Sequence, residues 1–117
     1  MAFVQVPTTL LSCMDASVGG KLGIDFNGIK NSIGLFQDPV AVWADARFFG
    51  TLRRAELRSG YAEHFKHALI ADVEQWAALV ATTDWQVHDW TEWVASSVRI
   101  KQHIVQEDPR EKGLRKR

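Results

Sequence analysis

The amino-acid sequence predicts an α/β chain, α+β within its own span, in which a few short strands up to residue 52 lead into a mainly helical remainder from residue 53. Three observations carry this. Phe3 to Val6 alternates like a short strand. Ile24 to Phe26 and Ile29 to Phe36 read as two more strands joined at Asn27-Gly28, a strong short hairpin signal. From Thr51 onward the apolar residues recur at helical spacing instead. With 117 residues and 46% hydrophobic content the chain can build one compact core, so disorder is not expected.

Each element has a local reason. Pro7 ends the first strand because proline cannot donate to a ladder. Thr8 or Thr9 can then cap a helix through Leu10, Leu11 and Met14, which the Gly19-Gly20 pair breaks. Asp38-Pro39 makes a turn before a third apolar run, Val40 to Ala44. The helical part divides into Arg53 to Ile70, Asp72 to Ala81 and Trp85 to Gln106. Two or three short strands bury little apolar surface alone, so the rest of their sheet is expected in a preceding domain. The chain enters a strand pattern by residue 3 and stops at Gly113 to Arg117 with no closing element, as an excised segment would.

Charge excludes some functions. Fourteen Lys and Arg balance fourteen Asp and Glu, so no global field draws the chain to nucleic acid or to an anionic membrane. Anion binding must come from local placement of cations. No apolar stretch is long enough to span a bilayer, and no basic segment followed by an apolar one marks a secretory signal, which makes the cytoplasm the expected location. The single cysteine, Cys13, excludes an internal disulfide framework and reads as a small buried apolar residue.

Two helices carry polar residues in odd places. In the last one, Val87, Trp90, Val94, Val98, Ile104 and Val105 form an apolar stripe with Lys101 near its centre. That lysine either snorkels to water or faces a buried anion site. In the first, Leu57, Tyr61, Phe65 and Ala68 stack on one side, while Glu56, Gly60, Glu63 and His67 share the other. Glu63 and His67 at i, i+4 could both ligate one metal ion, although the run is not HExxH. On spacing alone, a solvated face carrying an ion pair is the expected reading. Trp85, Trp90 and Trp93 lie close together, which allows an alternative: a non-catalytic helical module whose exposed tryptophan-rich face binds a partner or a second copy.

The run Val6 to Lys21, with VPTTLL, then Asp15, then SVGGK, closely resembles the signature of 3-dehydroquinate synthases. The resemblance continues in order. Lys30-Asn31 followed by IGLF, Phe48 to Leu52, Glu56 to Glu63 and Lys66 at its spacing all have counterparts in that family, as do Lys101 and the run Glu107 to Arg115. Sister sugar-phosphate cyclases, such as deoxyinosose and valiolone synthases, share the PTT and KN pieces, but SVGGK favours the dehydroquinate branch.

This resemblance implies that residues 1–52 are the C-terminal part of an NAD-binding α/β domain and residues 53–117 the start of an α-helical zinc and substrate domain. It implies an enzyme that uses NAD and zinc (or cobalt) to convert 3-deoxy-D-arabino-heptulosonate 7-phosphate to 3-dehydroquinate with elimination of phosphate, as a homodimer. Thr8, Thr9, Lys21, Lys30, Phe48, Phe49, Gly50 and Thr51 fall where the family contacts NAD. Asp15 falls where it sets a carboxylate against a substrate hydroxyl, and Lys21, Asn31, Lys66, Lys101 and Arg115 where it holds the substrate's anionic groups. Glu63 falls on one of three zinc ligands, the other two being histidines past residue 117, and His64 and His67 are read as supporting or merely helical. One carboxylate does not make a zinc site. The chain alone is therefore expected to bind zinc negligibly and to turn nothing over.

Overall fold

A computed structural model describes residues 1–81 and 90–108, in the mixed strand-then-helix order that the patterning predicts. Strand β1, Val4–Gln5, runs parallel to β4, Ala41–Val42, pairing Val4 with Ala41 and Gln5 with Val42. Strands β2, Lys21–Phe26, and β3, Ile29–Phe36, form an antiparallel hairpin. At its turn Asn27 and Gly28 have φ of 50° and 76°, the left-handed pair that a two-residue primed turn requires. The strand pattern at Ile24 starts earlier in the structure, at Lys21, because Lys21 pairs with Phe36.

Between the strands, a helical turn starts at Leu10 and continues as a π segment, Ser12–Ala16. Thr9 is its cap. The Ser12 N–H donates to Thr9 Oγ1 and the Thr9 N–H to Ser12 Oγ, each at 3.2 Å, a reciprocal box that satisfies two donors. A 3₁₀ turn, Ala46–Thr51, starts at Asp45, whose carboxylate accepts from the Arg47 N–H at 2.9 Å. Three helices follow: α1, Arg54–Ala71, α2, Val73–Ala81, and α3, Trp90–Glu107. Asp72 separates the first two and caps the second, its Oδ1 accepting from the Gln75 N–H at 2.9 Å. Val87 and Trp85, placed by the sequence at the start of the last helix, lie outside the described residues.

The core sits where α1, α3 and the π segment meet: Leu10, Cys13, Met14, Phe49 and Val94, with Leu57, Trp90, Trp93 and Val98 packed against it. Cys13 is buried, as expected. One expectation changes. The Gly60, Glu63, His67 side of α1 also packs inward instead of facing solvent, with Gly60, His64 and His67 buried beside Ala68 of the apolar side and with Tyr61 and Phe65 partly buried. Gly60 is the cause. A Cβ built on it would stand 2.5 Å from Leu10 Cγ and 2.7 Å from the Leu11 nitrogen, so only glycine lets the helix close on residues 10–11. The faces of the hairpin stay uncovered among the described residues, with Ile24, Phe26, Ile29, Ile33 and Leu35 all at least half exposed.

Candidate functional site

Asp15, Lys21, Lys30, Asn31, Lys66 and Lys101 line one cleft of about 760 Å³, together with His67. They come from five elements. Asp15 projects from the π segment, where the Ser17 N–H donates to the Ser12 carbonyl at 2.9 Å, the i to i+5 bond that re-aims a side chain relative to a regular helix. Lys21 opens β2 directly after Gly20, whose φ of 64° and close approach to Asp38 Oδ1 leave no room for a side chain. Asn31 sits at an irregularity of the hairpin with φ of 52°, and its N–H donates to Asp25 Oδ1 at 2.7 Å. Lys66 and His67 come from α1 and Lys101 from α3.

Lys101 is the residue that the wheel picked out as anomalous, and its side chain is 15% exposed. Its ammonium donates to the Asp15 carboxylate and to the Asp15 carbonyl, closing a contact between residues 86 apart in sequence. That lysine is largely buried and pairs with a carboxylate of the chain itself instead of reaching water. Burial alone would raise the Asp15 carboxyl, but the Lys101 hydrogen bond and charge, with smaller help from Lys66 and His67, bring it below its ordinary range. For Lys101 burial wins: the loss of water lowers its pKa despite Asp15.

Glu63 and His67 stand one turn apart on α1, with Glu63 Oε2 4.0 Å from His67 Nε2. The Lys66 ammonium forms an ion pair with the same Glu63 oxygen. His67 is buried, and its Nδ1 has no hydrogen-bond partner among the described residues. Loss of water and the nearby Lys66 lower its pKa, keeping the ring neutral. Asp15, Glu63 and His67 each present one donor atom, and the three atoms lie within 4.8 Å of one another. Two carboxylates and a neutral imidazole are donors of the kind that a zinc-type ion takes.

The sequence matches a family model described as 3-dehydroquinate synthase N-terminal over residues 1–59 and one described as 3-dehydroquinate synthase C-terminal over residues 60–117. The chain belongs to the 3-dehydroquinate synthase family. Among curated 3-dehydroquinate synthases, those of Parabacteroides distasonis and Listeria monocytogenes are 44% and 45% identical to it, and that of Campylobacter jejuni subsp. doylei 39%. Each alignment covers 97% of this chain but only 33%, 32% and 34% of the relative, so the chain spans about a third of their length. Among solved structures, the 2-epi-5-epi-valiolone synthase of Streptomyces hygroscopicus, with NAD⁺ and Zn²⁺ bound, superposes with a TM-score of 0.80 at 30% identity over 97% of this chain and 33% of that one. A 2-deoxy-scyllo-inosose synthase complexed with carbaglucose-6-phosphate, NAD⁺ and Co²⁺ superposes at 0.78 with 21% identity over 98% of this chain and 32% of its own, a likeness of fold.

This member of the 3-dehydroquinate synthase family brings five of the six residues expected to act on substrate to one cleft, while Arg115 lies outside the described residues. Of the residues expected to meet NAD, Lys21 and Lys30 line the cleft. Thr8 and Phe48 to Thr51 do not line it, and Thr9 is occupied as the cap. Phe49 is a core residue, its ring edge-on to Trp90 at 6.3 Å, so a nucleotide could reach only its main chain.

Two readings of the sequence change. His67, read as supporting or merely helical, lies in one cluster with Glu63 and Asp15, as its i, i+4 spacing from Glu63 allows. The exposed tryptophan-rich face is absent from the described residues: Trp90 and Trp93 pack in the core, with Trp93 stacked on His64 at 4.6 Å. His64 itself is fully buried, its Nδ1 2.7 Å from Ser97 Oγ, and joins α1 to α3. No helix among the described residues is long and apolar enough to cross a membrane.

Proposed function

We propose that this chain supplies the substrate-facing half of a 3-dehydroquinate synthase, which converts 3-deoxy-D-arabino-heptulosonate 7-phosphate to 3-dehydroquinate with elimination of phosphate. The observation that carries the reading is the cleft itself: four lysines, an asparagine and an aspartate, drawn from five elements of a chain with no net charge. A substrate bearing a carboxylate and a phosphate needs cations placed in this local way. Lysine suits the task because its ammonium is a point charge on a flexible stem.

In this reading Lys21, Lys66 and Lys101 hold the anionic groups, and Asn31 holds a polar group through its amide. Asp15, kept ionised by Lys101, accepts a hydrogen bond from a substrate hydroxyl. Glu63 holds the metal. Bound zinc would supply a Lewis acid for a substrate oxygen, and bound NAD a hydride acceptor and donor. Lys21 and Lys30 on the hairpin, with Thr8, Thr9 and residues 48–51, face the nucleotide. Arg115 is assigned to the substrate carboxylate by resemblance alone.

The test uses the protein at the full length of its relatives. Phosphate release from the keto-acid phosphate should require both Zn²⁺ and NAD, and Glu63→Ala should reduce kcat at least a hundredfold. An active Glu63→Ala enzyme would sink the site assignment. A sister cyclase is the second reading, favoured by the superposition on the valiolone synthase. Turnover of a sugar phosphate that lacks the carboxylate, in place of the keto-acid phosphate, would decide for it.

A further inference from the structure

We propose that Asp25 is a positioning residue of the cleft: its carboxylate, by accepting the Asn31 N–H, holds the bulge of β3 that turns Lys30 and Asn31, neighbours in sequence, towards one cavity. The inference rests on the reading of Lys30 as an NAD-facing and Asn31 as a substrate-facing group, and it adds the residue that places both. Asp25 itself is exposed and does not line the cleft.

The pairing of the hairpin is the first support. Ile24 pairs with Ile33 and Phe26 with Ile29, so a single residue of β2, Asp25, stands opposite three of β3, Lys30, Asn31 and Ser32. In a regular strand successive side chains point to opposite faces, and Lys30 and Asn31 could not both look into one cavity. The extra residues of β3 break that alternation, as a bulge does where a sheet re-aims a side chain. Both residues line the cleft as a result.

The second support is what holds the bulge in place. A bulge takes main-chain groups out of the ladder, and they need other partners. Asn31 stands in the left-handed region, with φ of 52°, which a residue other than glycine adopts at a cost. Its N–H donates to Asp25 Oδ1 at 2.7 Å across the hairpin, and a carboxylate acceptor makes that bond a charge-assisted one. The Ser32 hydroxyl adds a longer bond to the Phe26 carbonyl, 3.4 Å. A Cβ built on Gly23 would stand 3.3 Å from Asn31 Oδ1, so the amide lies across a strand position that carries no side chain. Asp25 thus holds the Asn31 main chain and leaves its side-chain amide to the cleft.

The protein at the full length of its relatives is compared with its Asp25→Ala and Asp25→Asn variants. Both lose the same charge and only Asp25→Asn keeps an oxygen at Oδ1, so the difference between them reads the acceptor. Asp25→Ala should raise KM for the keto-acid phosphate and for NAD at least threefold with kcat changed less than twofold, while Asp25→Asn should stay within twofold of the original protein. A merely structural role would lower the folded fraction, and with it kcat, and leave KM alone. Hydrogen exchange at the Asn31 amide, followed by mass spectrometry, should be at least tenfold faster in Asp25→Ala only, with α1 exchanging alike in all three proteins. An unmoved KM in Asp25→Ala overturns the proposal, as does an Asp25→Asn variant that behaves like Asp25→Ala or an Asn31 amide indifferent to both. If the unsubstituted protein turns nothing over, the assigned reaction is wrong, and sulfate titrated by calorimetry reads the cleft instead. Sulfate binding at least twofold weaker in Asp25→Ala than in Asp25→Asn then keeps Asp25 as the positioning residue, and equal binding overturns it.

Discussion

Asp15 and Lys101 show how a residue is legible in sequence while its partner is not. Lys101 stood out because a lysine in the middle of an apolar stripe must answer for its charge. Nothing in the sequence pattern joined it to a carboxylate 86 residues away, because that contact depends on α3 crossing the π segment. Lys101→Met, studied in a chelator, leaves the carboxylate half-buried and alone. A loss of about 1–2 kcal/mol by urea denaturation at neutral pH is expected, discounted because Asp15 is 39% exposed. Asp15→Asn in the same background should recover part of it. Because the folded Asp15 pKa is depressed, its stabilisation is present above its ordinary value of 3.8 and is lost as pH falls through the folded value. Asp15→Asn should therefore flatten the acid limb of the stability profile. Cys13 acts at the other end. Burial pushes its thiol from 9.0 up to about 11, so the unfolded chain loses that proton first and stability falls as pH rises from 9 to 11. The difference reaches about 2–3 kcal/mol, and Cys13→Ala should remove that part of the alkaline slope. An unchanged slope would show that the thiol is not what titrates.

At the level of elements, local chemistry specified starts and stops well: Thr9 as a cap, Asn27-Gly28 as the turn, Asp72 between two helices. The face of α1 was misjudged for a physical reason. Gly60 lies on the polar side of the wheel and glycine counts as neither apolar nor large, yet its missing Cβ is what lets that side close on residues 10–11. Glu63 and His67 follow it to the interior, and the cluster with Asp15 results. Gly60→Ala tests this directly. The substitution gains up to about 1 kcal/mol of helix propensity, but its Cβ meets Leu10 and the Leu11 backbone at 2.5–2.7 Å. Overpacking of this kind costs roughly 1–3 kcal/mol, so net destabilisation is expected by thermal denaturation. Truncating Leu10 to Ala should not rescue it, because the Leu10 Cβ and the Leu11 nitrogen remain in the way. A more stable Gly60→Ala chain would mean that α1 does not need the close approach.

For the molecule as a whole, the conspicuous feature is how much apolar surface the strands leave open. The register pairs Leu22 with Leu35, Ile24 with Ile33 and Phe26 with Ile29, and directly opposed residues share a face. One side of the hairpin thus carries these largely exposed apolar pairs, interrupted at the irregularity between Ile24 and Phe26, while Lys21, Gly23, Lys30 and Asn31 line the cleft. The alternation that made these strands legible in sequence also announced that a covering layer was needed, and the described residues contain none. An isolated two-stranded hairpin is marginal in water, so covering this patch should stabilise the whole chain. The 117-residue chain is accordingly expected to associate reversibly as its concentration rises, and to enhance the fluorescence of an apolar dye. The paired substitution Ile24→Lys with Ile33→Glu breaks the patch while setting opposite charges across from each other, which preserves the hairpin. Sedimentation velocity across a hundredfold range of concentration should show association in the original chain and a monomer in the paired variant. If both sediment alike, the patch is not what brings copies together, and the exposed Val73 and Val80 of α2 become the surface to alter next.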